Sequence, residues 1–190
     1  MSHQHFIMHK PCGYLSQFVT EAKKKKVLSE LYLFPQGTMS IGRLDEDSEG
    51  LLLLTTDGKL SNYILSTHFE KQYYVQVDGL ITPEAMEQLR QGVEISIYGS
   101  KYLTKTCEVD SLLSPPEIAP RNKKIRDDRH GPTSWISITL REGKFRQIRK
   151  MTALVGFPTL RLIRVRIGTI YLDELKAGEV KQVNSLLDIL

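Results

Sequence analysis

Cysteine is scarce in this chain: Cys12 and Cys107 are its only two, far apart and with no CxxC pairing. Neither a disulfide framework nor a zinc site is therefore indicated, and both thiols are expected to be buried. Long apolar runs are missing as well. No stretch reaches the roughly 18 residues of a membrane span, and Met1-Ser2-His3-Gln4-His5 lacks the basic start and apolar segment of a signal peptide. The expectation is a cytoplasmic globular protein with no membrane partner. His3, His5 and His9 alternate and could hold a metal, but a mobile terminus with spare histidines is the simpler reading, and no metal site is expected. With 190 residues and 41% hydrophobic composition, the chain can bury a full core as one domain over residues 1–190 or as two closely joined lobes.

What is present centres on Ser40-Ile41-Gly42-Arg43-Leu44-Asp45-Glu46-Asp47-Ser48-Glu49-Gly50, followed by the apolar Leu51 to Leu54. An arginine, four carboxylates and two glycines between a β-prone stretch and a buried strand suit a functional loop on a rigid support. A solvated charged turn would share that composition. Gly42 and Gly50 bracket the segment where unusual backbone angles or close approach are needed, and Arg43 and Asp45, two apart, point the same way if the chain is extended. Thr55-Thr56-Asp57-Gly58 then marks a turn.

Charge is unevenly spread. Residues 1–119 carry 11 Lys and Arg against 15 Asp and Glu, whereas residues 120–190 carry 15 against 7. With an isoelectric point near 9.0, this points to a polyanion bound mainly by the C-terminal part. Between residues 120 and 166 there are 13 basic and 3 acidic side chains.

Along the chain, Phe6-Ile7-Met8 reads as a first strand, with Lys10 near its end before the turn Pro11-Cys12-Gly13. Lys23 to Lys26 form a run, a solvated face by default with phosphate contact as the alternative, ahead of a short helix over Val27 to Leu33. Lys59 to Ser66 carries helical spacing, and Lys71 to Gly79 reads as a strand with Tyr73, Val75 and Val77 on one face. Thr82-Pro83-Glu84 opens a helix that Gly92 stops. Val93 to Ile97 and Tyr102 to Val109 alternate as a hairpin. Residues 114–132, with four prolines among Arg121, Lys123, Lys124, Arg126 and Arg129, form a long basic loop expected to touch the phosphates of a polyanion. Thr133 to Leu140 is a strand with Trp135 between core and surface. Within Arg141 to Gly156 a helix gathers Ile148, Met151, Thr152 and Val155 on one side and Arg146, Arg149 and Lys150 on the other. A last strand, Leu160 to Ile167, carries Arg161, Arg164 and Arg166, and Ser185 to Leu190 ends the chain as a short helix.

Gly42-Arg43-Leu44-Asp45-x-x-Ser48-x-Gly50-Leu51-Leu52-Leu53-Leu54-Thr55-x-Asp57-Gly58 resembles the catalytic signature of the pseudouridine synthases of the small-subunit ribosomal type, the RsuA family. Lys10-Pro11-x-Gly13, Lys71-x-Tyr73-x-Val75, Glu142-Gly143-x-x-Arg146-Gln147-Ile148-Arg149 and Leu162-x-Arg164-x-x-Ile167-Gly168 match its other motifs in order. The resemblance runs from about Phe6 to Val183. Family members commonly begin with a small RNA-binding S4 domain. Its expected absence here, with Pro132 to Trp135 and Val155 to Arg164, makes the chain most similar to the E branch of the large-subunit pseudouridine synthases, which lacks that domain. Phe145 and Lys150 stand where Asn and Arg are usual.

The resemblance implies an α+β fold, a mixed and largely antiparallel sheet in two lobes, approximately 1–68 and 69–190, with a catalytic cleft between them. It also implies a cofactor-free isomerase that converts a uridine of 23S rRNA, in domain V, to pseudouridine. Asp45 would act at the ribose as nucleophile or base, Arg149 would pair with it, and Tyr73 would stack on the uracil above an apolar floor from Leu162. Arg43 would fill the gap left by the flipped nucleotide. The RNA contacts expected are Arg43, Lys10, Arg121, Lys123, Lys124, Arg126, Arg146, Lys150 and Arg164. The implied partner is 23S rRNA or a large-subunit assembly intermediate, bound by a monomer. The alternatives are the same chemistry on 16S rRNA or tRNA, or a non-catalytic rRNA-binding assembly factor. A two-carboxylate glycosidase built on Asp47 and Glu49 is disfavoured, because it would leave the tyrosine and arginine without use.

Overall fold

The computed structural model describes residues 3–190 apart from 122–124 and 126–127. Lys123, Lys124 and Arg126 therefore lie outside the described residues.

The first half of the chain holds β1 (His5–Lys10), β2 (Tyr14–Leu15), β3 (Lys26–Val27), β4 (Met39–Ile41), β5 (Glu49–Thr55), α1 (Gly58–Ser66), β6 (Lys71–Asp78) and α2 (Pro83–Gln91). After these come β7 (Glu94–Ile97), β8 (Ser100–Leu103), β9 (Glu108–Leu112), β10 (Thr133–Leu140), α3 (Gln147–Leu154), β11 (Thr159–Ile167), β12 (Ile170–Tyr171) and β13 (Val180–Val183). Strands and helices alternate irregularly, and the described ladders are antiparallel except for β2 with β3 and β5 with β11. This is the expected α+β class with a largely antiparallel sheet.

The chain forms two compact units. One comprises the chain up to Phe69, Ile163–Leu190 and a short piece of the loop after Ile118; the other comprises Glu70–Ile118 and the stretch that ends at Leu162. The C-terminal segment returns to the first unit because β13 pairs β1 and the second half of β11 pairs β5.

In the first unit β5 is the central strand, and every one of its seven residues is buried. Strand β1 runs antiparallel to it, setting Lys10 opposite Gly50, and β4 pairs with its Leu53 to Thr55 end. A continuous leucine run fits a strand covered on both faces, where alternation has no solvent side to serve. Leu52 and Leu54 pack with Phe6, Met8 and Leu28, and Phe18, Leu31 and Phe34 close that cluster. Phe34 meets Phe6 and Phe18 edge-on at 5.5 and 5.3 Å. Helix α1 lies against β4 and β5 and starts at Asp57, whose carboxylate accepts from the amides of Leu60 and Lys59. Those bonds, the one from Leu60 foremost, hold that carboxyl below its ordinary range.

The helix expected over Val27 to Leu33 is instead a single 3-10 turn, Leu28–Glu30, after β3. Seven residues are too few to nucleate a helix alone, and the segment is bound elsewhere. Glu30 Oε1 accepts from Val27 N at 2.9 Å, while Leu28 and Leu31 pack into the β5 cluster. The terminal helix is likewise one 3-10 turn, Leu187–Ile189.

In the second unit β10 lies between β6 and β9. Alternation holds along β6, where Tyr73, Val75 and Val77 are buried, and Trp135 is half-buried as expected. Thr82 caps α2 through a bond from Ala85 N, with Pro83 at its first position. The alternating run Tyr102 to Val109 is not one strand. Strand β8 ends at Leu103, where Thr104 exchanges bonds with Val93 at 3.0 and 2.9 Å, and β9 turns away to pair with β10.

Candidate active site

The loop Gly42 to Ser48 is held by its main chain, and the residues that hold it come from the short stretch Lys10 to Ser16. Gly13 N donates to Glu46 O at 2.7 Å. Ser16 Oγ donates to Leu44 O at 2.8 Å and accepts from Leu44 N at 2.9 Å. Lys10 Nζ donates to Pro11 O, Ser48 O and, more distantly, Glu46 O, at 3.0, 2.9 and 3.4 Å. The turn also closes on itself, with Ser48 N donating to Asp45 O at 3.1 Å. Leu44 is buried between exposed Arg43 and half-buried Asp45, the alternation of an extended segment. Both charged side chains thus point away from the core that anchors their neighbour. Lys25 Nζ adds an ion pair to Glu46 Oε2 at 2.6 Å, which is half-exposed and contributes little alone.

Gly42 and Gly50 both have positive φ, +72° and +107°. At Gly50 a second constraint applies, because β11 runs past it in parallel with Arg164 opposite. Arg164 also donates from Nε to Leu51 O at 2.7 Å, and its Nη2 is buried with no hydrogen-bond partner among the described residues.

Lys10 and Arg164 were both expected as RNA contacts, and both are buried, at 0% and 3% exposure. Their charge serves the carbonyls of the loop and of β5, so a phosphate cannot reach them as it reaches a surface cation. Burial pushes the Lys10 ammonium down to about 8, against the pull of the nearby acidic groups Cys12, Glu49, Asp47 and Asp45. Arg161 on β11 is buried too, so the count of 13 basic side chains overstates the exposed basic surface. Arg43 is exposed, and Arg121 is half-buried with Nη1 4.0 Å from Cys12 Sγ.

In the second unit the segment before α3 is organised by Glu142. This buried carboxylate accepts from Tyr102 Oη at 2.5 Å, Lys105 N at 2.9 Å and Gln147 Nε2 at 2.5 Å. Gln147 Oε1 in turn accepts from Lys144 N at 3.0 Å. Arg146 has φ +51°, and the helix begins only at Gln147. Ile148, Met151 and Thr152 face the core and Val155 is half-buried, while Arg149 and Lys150 are half-buried on the first turns. Tyr73 and Leu162 are buried in β6 and β11, at 8% and 5% exposure. Ser16, Gly13, Glu142 and Gln147 fix these two segments. Gly13, Glu142 and Gln147 stand in the motifs quoted above, which assign them no role, and Ser16 carries no local signal at all.

No group of three or more His, Cys, Asp or Glu side chains able to hold a metal occurs among the described residues. No described helix is long and apolar enough to cross a membrane.

An aspartate presented beside an arginine on a loop with fixed main chain suits chemistry at a sugar carbon more than it suits a solvated turn. Ribosomal large subunit pseudouridine synthase E of Vibrio parahaemolyticus is 40% identical over 93% of this chain and 72% of its own length. Its namesake from Xanthomonas axonopodis pv. citri is 40% identical over 89% and 88%. A crystal structure of a pseudouridylate synthase superposes with a TM-score of 0.76 at 27% identity, over 99% of this chain and 73% of that one. Residues 4–154 match the RNA pseudouridylate synthases as a family, the stretch that holds the Asp45 loop, Tyr73 and Arg149. The chain therefore belongs to the RNA pseudouridylate synthase family.

Proposed function

We propose that the protein isomerises one uridine of large-subunit ribosomal RNA, in domain V of 23S rRNA, to pseudouridine. The observation that carries the reading is Asp45 on a loop whose backbone is pinned at Leu44, Glu46 and Ser48. The relatives at about 40% identity bear the large-subunit name, which supports the choice of target. The reaction breaks the bond from ribose C1′ to uracil N1, turns the detached base and forms a bond from C1′ to C5. The proton on C5 leaves and N1 gains one, so no electrons are gained or lost and no redox cofactor is required.

Asp45 acts at the ribose, as nucleophile or as base. Arg149 keeps that carboxylate ionised and oriented when RNA excludes water. Tyr73 meets the uracil and takes part in removing the C5 proton, and Leu162 is the apolar floor. Arg43 occupies the gap in the RNA stack that a flipped nucleotide leaves. A pinned backbone matters here because a carboxylate held in place needs no reorganisation in the transition state. The protein works as a monomer in the cytoplasm, on 23S rRNA or on an assembly intermediate that contains it. Arg121, Lys123, Lys124, Arg126, Arg146 and Lys150 are its phosphate contacts.

The test maps pseudouridines by carbodiimide modification and primer extension in three strains: wild type, Asp45→Asn, and gene deletion. Loss of the same single 23S site in both altered strains is expected. Loss of a 16S or tRNA site would move the target but keep the chemistry. An unchanged pattern in all RNAs would replace the enzyme by a binding factor.

A further inference from the structure

The turn between β7 and β8 is made by Tyr98 and Gly99, both with positive φ, +50° and +84°. This is the two-residue hairpin turn in which Asn-Gly or Asp-Gly is the easy sequence, because a bulky side chain resists the left-handed region. Here a tyrosine takes the strained position, and the residue is 82% exposed. Strain that local sequence could have avoided, at a side chain that fills no core, marks a functional constraint.

The ring is not isolated. Phe145, itself 49% exposed, stacks on it with centroids 5.3 Å apart and planes 17° from parallel. Lys150 Nζ lies 5.2 Å from the Phe145 centroid and donates to Ser96 O at 2.6 Å, which ties α3 to the hairpin. Lys144 Nζ sits 4.9 Å from the neighbouring Tyr102 ring. Lys101 and Lys105 are exposed nearby in sequence, Lys101 in an ion pair with Glu94 at 2.8 Å. Phe145, just before α3, and Lys150, within its first turns, are the two positions that stand where Asn and Arg are usual in the family the motif resembles.

We propose that Tyr98 and Phe145, with Lys144 and Lys150, form a stacking site for an unpaired base of the RNA substrate, separate from the base that is isomerised. Phe145 fixes the Tyr98 ring from one side, and the exposed ring offers a π-face to a base, while the ammonium groups meet its flanking phosphates. Aromatic faces with interleaved lysines are the surface that single-stranded RNA requires, whereas a duplex hides its base faces. The inference rests on RNA being the substrate class but not on which uridine is modified.

The full chain and its Tyr98→Asn, Tyr98→Leu and Tyr98→Trp variants are titrated, by fluorescence anisotropy, into a labelled 12-nucleotide oligo(A) and into a 12-base-pair RNA duplex. Melting temperatures are recorded alongside. Asn relieves the turn, so Tyr98→Asn is expected to melt no lower than wild type and to bind oligo(A) about 10-fold more weakly. Its affinity for the duplex is expected to change less than about 2-fold, as phosphate contacts are kept. Tyr98→Leu, which retains apolar bulk without a π-face, should lose as much, and Tyr98→Trp should bind at least as tightly as wild type. Equal oligo(A) affinity across the four proteins, or equal losses on oligo(A) and duplex, overturns the site. So does a loss that follows melting temperature and not the presence of a ring. A protein that forms no pseudouridine in any RNA would still give these readings, so the two conclusions fail separately.

Discussion

A methyl group on Gly50 would lie 2.2 Å from the carbonyl oxygen of Arg164 and 2.7 Å from its amide nitrogen. Both are backbone atoms of a paired strand, so neither can swing aside as a side-chain tip could. The φ of +107° disfavours any other residue in addition.

Gly50→Ala is therefore expected to push β11 away from β5 at the base of the Asp45 loop. A loss of about 3 kcal/mol is the expected scale for a strained backbone with a clash. Urea unfolding checks it, and pseudouridine formation should fall even at temperatures where the variant remains folded.

Lys10 gives a second prediction with a definite pH signature. Lys10→Met leaves the carbonyls of Pro11 and Ser48 without their ammonium donor, a loss of about 2 kcal/mol at pH 7. The folded-state pKa of about 8 lies below the ordinary value of 10.5, so the folded protein binds fewer protons than the unfolded chain between those values. Stability from this group is constant below about pH 8, rises with pH through the window and levels off above it. The gap between wild type and Lys10→Met should widen from about pH 8 to 10.5, by at most about 3 kcal/mol. Denaturant midpoints of the two proteins at about pH 7, 9 and 10.5 decide it; a constant gap would mean that Lys10 keeps its ordinary pKa.

Much of this arrangement was legible in the residues. The Asp45 loop, the buried leucine strand after it and the alternation of Tyr73, Val75 and Val77 all follow from local pattern. What pattern could not supply was direction of charge. Lys10, Arg161 and Arg164 look like surface cations, and only the pairing of β1 and β11 with β5 turns Lys10 and Arg164 onto carbonyls. Ser16 was invisible for the same reason, since its partner is Leu44, 28 positions away. The run from Tyr102 to Val109 has strand periodicity throughout, and its break depends on Thr104 bonding back to Val93.

Glu142 is expected to position the segment that leads into α3. In Glu142→Gln one oxygen becomes a donor, so the bonds from Tyr102 Oη and Gln147 Nε2 cannot both persist. A loss of about 1–3 kcal/mol follows for a buried acceptor removed. The bond to this carboxylate is also the main reason that the Tyr102 phenol is held above its ordinary pKa. Ultraviolet titration of the tyrosines should accordingly show one phenol moving down in the variant, while a general loosening of the fold would shift several.

Cys107 is expected to be a poor nucleophile. Burial first, and the negative charge of Glu142 next, push its thiol up to about 11, and Sγ lies 3.2 Å from Leu89 O. At about pH 8 the thiolate fraction is about 100-fold below that of a thiol with the ordinary pKa of 9.0, so iodoacetamide should modify native Cys107 about 100-fold more slowly than the unfolded chain. Peptide mapping of alkylated protein measures the ratio. The folded state retains this proton longer than the unfolded one, so this group makes stability fall between about pH 9 and 11, opposite in sign to Lys10.

Salt dependence separates exposed from buried basic residues. Each phosphate neutralised contributes about 0.7 to 0.9 to the slope of log affinity against log salt concentration. Lys144 is exposed and Arg164 is 3% exposed, although both lie in the basic stretch. Lys144→Gln should reduce the slope for an rRNA fragment by about one contact and leave the melting temperature within a few degrees of wild type. Arg164→Gln should leave the slope unchanged and lower stability by about 1–3 kcal/mol, because Leu51 O loses its donor. Binding isotherms at four salt concentrations, with thermal melts of the same preparations, distinguish the two. A slope that fell equally in both variants would place Arg164 against a phosphate and remove the distinction between the buried and the exposed arms of this basic segment.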